Sequence, residues 1–110
     1  PPASSAPIFG EVAQELGLDE NMVLFLLNDF IASSQPILQN LEMAISRNDC
    51  QTIAKTAHSL KGAAGNLRLH SIAKLSQQCE AKARNDEPAD YYGFFQQIRQ
   101  KIESLKLEVQ

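Results

Sequence analysis

Apolar residues recur along the 110-residue chain at steps of three and four, and no stretch shows convincing strand alternation. Ile8, Phe9, Val12, Ala13 and Leu16 share one side of a short helix, and Gly17 follows in the position of a C-terminal cap. Asp19 is a good N-cap for a second, longer helix that opens with Glu20 and Asn21. Its apolar positions are Met22, Val23, Leu26, Leu27, Phe30, Ile31, Ile37, Leu38, Leu41, Ala44 and Ile45, a stripe wide enough to face more than one neighbour. Pro36 removes a backbone donor and crowds the preceding turn, so a kink is predicted there; a clean break would make two helices instead.

Arg47-Asn48-Asp49 reads as a tight connection, with Asp49 capping a third helix. Ile53, Ala57, Leu60, Ala64 and Leu67 form its inward stripe. Arg68-Leu69-His70-Ser71 makes the next turn, with Ser71 as the predicted cap. A fourth helix runs from Ile72 to about Ala83 with Ile72, Leu75, Cys79 and Ala83 inward. Asn85-Asp86-Glu87-Pro88 is a loop by its turn chemistry. The last helix spans about Asp90 to Glu108, with Tyr91, Phe95, Ile98, Ile102, Leu105 and Val109 on one face.

Short connections between long amphipathic helices give antiparallel neighbours. The predicted fold is therefore all-α: an antiparallel up-down four-helix bundle over residues 8–110 with a short extra N-terminal helix. Residues 1–7, Pro-Pro-Ala-Ser-Ser-Ala-Pro, read as a linker. Folding the two central helices about Leu69 puts His58 level with Glu80, and Lys61 level with Gln77.

The third helix carries the candidate chemistry. Ala54, His58, Lys61 and Gly65 form a stripe beside the buried one, and Gly62 lies one turn after His58. Each of the two glycines costs a helix roughly 1 kcal/mol against alanine. Such a cost is expected where something must approach the backbone closely. An imidazole, a cation one turn away and a floor almost without side chains suit a nucleophile that receives an anionic group from a bulky donor. Glu80 or Gln77 could accept one ring N–H, fix the tautomer and leave the other nitrogen free. A lone helical histidine is more often an inert surface residue, so these neighbours carry the argument.

The stretch His58-Ser59-Leu60-Lys61-Gly62-Ala63-Ala64 resembles the H-x-L-K-G-[AS]-[AS] motif of histidine phosphotransfer (HPt) domains, and the likeness continues through Gly65-Asn66-Leu67 to Leu75 and Glu80. The resemblance implies a four-helix bundle that relays phosphoryl groups in bacterial multistep phosphorelays, as at the C-terminus of hybrid sensor histidine kinases. It implies that His58 is phosphorylated, that Lys61 is the phosphate-side cation, that Gly62 gives clearance and that Glu80 lies near the ring. The implied partners are receiver domains, one donating and one accepting, which would supply Mg²⁺. One departure is visible: the family often carries a glycine ten residues after the histidine, where this chain has Arg68.

The rest of the composition narrows the alternatives. The formal net charge of −3 argues against nucleic acid. No apolar run reaches the length of a membrane span. Cys50 and Cys79 form no C-x-x-C pair and are expected to be unpaired thiols, so no metal site and no cofactor is expected. No Gly-rich phosphate loop is present, so the domain is not expected to phosphorylate itself from ATP. It would be a phosphocarrier rather than a complete enzyme. The first residue is Pro1, which reads as a cytoplasmic piece of a longer chain, monomeric in isolation. His70 sits in a turn without a cation or glycines around it, and Lys82 and Arg84 read as exposed helix residues. Phe25, Phe30, Phe94 and Phe95 read as core or first-helix contacts. The rival functions are a non-catalytic helical adaptor on the same patch, and the phospho-accepting domain of a chemotaxis-type kinase.

Overall fold

The computed structural model describes residues 8–110, so the linker expected over residues 1–7 lies outside the described residues. Five helices follow one another: α1 Ile8–Leu16, α2 Glu20–Ser46, α3 Cys50–Asn66, α4 His70–Arg84 and α5 Tyr91–Val109. Among the described residues there is no strand. The predicted all-α bundle with a short extra helix is what forms: α2 packs on α3 and α5, α4 on α3 and α5, and α1 lies against α2 and α5.

Local chemistry sets most of the boundaries. Asp19, Asp49 and Asp90 each accept a backbone N–H three residues on, from Met22, Thr52 and Gly93. At the other ends, Asn48, Arg68 and Asp86 all have positive φ, near 54°, 60° and 56°. Each is followed by a residue whose N–H reaches back to the helix, at Ala44, Ala64 and Lys82. This is the Schellman closure, which usually places glycine at the left-handed position. Arg68 occupies that position here, so the departure noted in the sequence keeps the turn and accepts some backbone strain.

The same closure explains a correction. Leu69, the next residue, is buried at 3% exposure and serves as the N-cap of α4 without any side-chain cap bond. The chain re-enters the helix at once, and Ser71 falls inside α4 instead of capping it. Pro36 does not break α2, which runs unbroken from Glu20 to Ser46. Around it, Ser34 Oγ and Gln35 Nε2 bond the Ile31 carbonyl and Ser33 Oγ bonds that of Phe30. These side chains add second hydrogen bonds to carbonyls of the turn before the proline.

The core takes one face from each helix, with Leu27, Leu41, Ile53, Leu60, Ile72, Ile98, Ile102 and Leu105 all fully buried. Leu60 lies two residues after His58 and fixes which way α3 faces; Leu60→Ala would cost about 2–5 kcal/mol. Of the four phenylalanines expected inside, Phe30 and Phe95 are buried and Phe94 is half-buried against the core. Phe25 is 66% exposed, because two residues before Leu27 is nearly the opposite side of α2. Cys50 and Cys79 are both free.

Candidate functional site

Helices α3 and α4 place four ionisable side chains together. His58 leaves α3 on its solvent side with its side chain 61% exposed, and its Nδ1 lies 2.9 Å from Glu80 Oε2. Glu80 projects from α4 toward α3, and its own side chain is only 6% exposed. Lys61, one turn after His58, donates to the other oxygen, Oε1, at 2.9 Å. Arg84, one turn after Glu80, donates through Nη2 to Oε2, the oxygen that also faces the ring.

The charge state of Glu80 follows. Burial pushes its pKa up, but the hydrogen bonds from Lys61 and His58 and the charges of Lys61 and Arg84 outweigh it, holding the carboxyl below its usual range. An ionised carboxylate only accepts, so Nδ1 must carry the ring proton. In the neutral ring Nε2 then has a free lone pair, and no protein group bonds it among the described residues. Next to the ring, Gly62 and Gly65 have open space where a side chain would begin: a Cβ added at either meets nothing within 4 Å. Both glycines therefore lie in helix that has no packing need of them.

The structure thus brings together His58, Glu80 and Lys61 from the expected site, beside Gly62 and Gly65. It does not bring in Gln77, which is exposed on α4 and bonds no side chain among the described residues. Lys61 turns instead toward Glu80, since a long ammonium side chain gains more from a buried carboxylate than from an exposed amide. Sequence reasoning missed Arg84. The signal was its i,i+4 spacing from Glu80, which matters only once Glu80 is known to be buried. It also missed a partner for the second histidine: His70 Nε2 lies 3.0 Å from both carboxylate oxygens of Glu15 on α1.

Among the described residues no group of three or more His, Cys, Asp or Glu could hold a metal ion, and no helix is long and apolar enough to cross a membrane. Burial pushes the Cys79 thiol up to about 11, so it remains protonated at neutral pH.

Comparison with known proteins supplies the context. The family model of the Hpt domain matches residues 26–108. Among solved structures, the crystal structure of histidine-containing phosphotransfer protein B from Pseudomonas aeruginosa PAO1 is similar with a TM-score of 0.78 and 24% identity, covering 89% of this chain and 85% of that one. At that identity the likeness speaks for the fold. No curated protein matches.

Proposed function

The chain belongs to the Hpt domain family, and from that premise we propose that His58 is the residue through which it takes part in a two-component phosphorelay. The observation that carries this is the tethered ring: Nδ1–H held by the buried Glu80 carboxylate, Nε2 free on an exposed side chain. The donor is the aspartyl phosphate of a receiver domain. The Nε2 lone pair forms the N–P bond while the P–O bond to the aspartate breaks, and the electrons leave on the aspartate carboxylate. No proton needs to move. The ring keeps its Nδ1–H, gains positive character and is stabilised by Glu80. Transfer to a second receiver runs the same step backwards.

Lys61 serves the phosphoryl oxygens by charge, and Gly62 and Gly65 let the receiver approach. The divalent metal of the step is assigned to the receiver, on the family pattern. We read the domain as the C-terminal module of a hybrid sensor kinase, facing the cytoplasm. The test is to mix the protein with a ³²P-labelled receiver. Label that is acid-labile and base-stable, and lost in His58→Gln with helical content unchanged, is the expected result. Label that survives in His58→Gln, or that moves to His70, overturns the assignment.

A further inference from the structure

The tethered ring sets up a conflict. Glu80 must be ionised to hold Nδ1–H, yet a carboxylate beside the ring repels an incoming phosphoryl group. Lys61 neutralises it in the resting site, through Oε1. But Lys61 is also the cation one turn from Nε2, and once it turns to the phosphoryl oxygens it leaves Glu80. A carboxylate whose side chain is 6% exposed would then keep only the ring as a partner, which is unfavourable for a buried charge.

We propose that Arg84 is the positioning residue that resolves this: its guanidinium keeps Glu80 paired and charged when Lys61 moves to the phosphoryl group. Three observations support it. Arg84 bonds Oε2, not the Oε1 used by Lys61, so the two cations do not compete for one oxygen. It sits four residues after Glu80 on the same helix, in the last turn of α4, where a cation is favoured by the helix dipole and the pair moves as one body. And its side chain is a planar guanidinium, the cation suited to holding a buried carboxylate. The other charged groups nearby, Lys55 on α3 and Asp86 after α4, line the same shallow hollow as Arg84 but make no ion pair with Glu80.

This rests on the reading of His58 as the phosphorylated residue. Arg84 acts through Glu80 and does not itself touch the reacting atoms, so removing it should lower the phosphohistidine level and leave the fold intact. The experiment compares plateau label on His58 from a phosphorylated receiver in wild type, Arg84→Ala, Arg84→Lys, Glu80→Gln and the Glu80→Gln/Arg84→Ala double variant, with His58→Gln as the control. Arg84→Ala should hold about two- to fivefold less label than wild type, the range of a largely exposed ion pair. Arg84→Lys should recover most of it. In the Glu80→Gln background Arg84→Ala should change nothing, because no carboxylate remains to be neutralised. Equal label in Arg84→Ala and wild type overturns the proposal. So does a loss of the same size in the Glu80→Gln background, or a loss that merely follows a lowered melting temperature. Label that persists in His58→Gln removes the underlying reading, and is told apart from these by the control alone.

Discussion

The chain has two histidines, and each meets a glutamate. His58 lies 2.9 Å from Glu80 and His70 3.0 Å from Glu15. Their side chains are similarly exposed, at 61% and 68%. What differs is the carboxylate and the nitrogen that it holds. Glu80 is buried, fixed by two further cations, and takes Nδ1. Glu15 is 42% exposed and takes Nε2, the outer nitrogen, from another helix. The first arrangement leaves the outer nitrogen free and orients the ring; the second occupies that nitrogen. On the proposed function, spare ring nitrogen and a rigid holder, more than exposure, separate a nucleophile from a surface pair.

The sharpest way to break this contrast is to fill the space at His58. Gly62→Gln should reduce transfer by about a hundredfold, because the receiver can no longer align its phosphoryl group. The same change removes a poor helix former where a Cβ has open room, so stability should rise by about 0.5–1 kcal/mol. Thermal melting and labelling on one preparation read both. Loss of both together would mean that the glycine serves the fold.

Exchanging the holders comes next. Glu80→Ala should slow transfer about tenfold, since the ring loses the partner that fixes its tautomer and angle. Glu15→Ala should leave transfer alone. ¹⁵N NMR of the His58 ring should show a dominant Nδ1–H tautomer in wild type and a mixed population in Glu80→Ala. The sign of the pH effect is fixed by the depressed carboxyl: its stabilising pairing is complete above the ordinary value of 4.5 and lost as pH falls through the lowered one. The melting difference between wild type and Glu80→Gln should therefore be level from pH 6 to 8 and shrink in acid.

A smaller effect belongs to Lys61. Lys61→Ala should slow transfer about threefold at low salt. The deficit should narrow at high salt if the role is one of charge. An equal rate at low salt would make it an ordinary lysine. Smallest of all, Arg68→Gly should change only the His70 end of the molecule. Relieving the positive φ should add about 0.5–1 kcal/mol of stability while the labelling rate stays put.

Helix number, order and inward faces were legible because the apolar spacing is regular and the aspartate caps stand where the pattern begins. The meeting of His58 and Glu80 was legible too, since a short turn at Leu69 fixes how far each helix has run from it. Side-chain reach was not. Lys61 could have met Gln77, its equal in height, and goes to Glu80 because a buried charge attracts it more. Arg84 was hidden for the same reason: its role depends on burial, which spacing does not report. The His70–Glu15 contact joins residues 55 apart and depends on where a nine-residue helix comes to rest. The start of α4 was misjudged because Arg68 takes a backbone shape usually left to glycine.

The open floor beside His58 has a kinetic consequence. On the proposed function, one imidazole on one face serves both the loading and the unloading partner, so the two must occupy it in turn. The relay is then a ping-pong cycle with a single berth. An unphosphorylated acceptor present in excess should hold that berth without being able to unload anything, and so throttle the loading step. Throughput would peak at an intermediate ratio of the two partners, and the ratio itself would become a control on the signal.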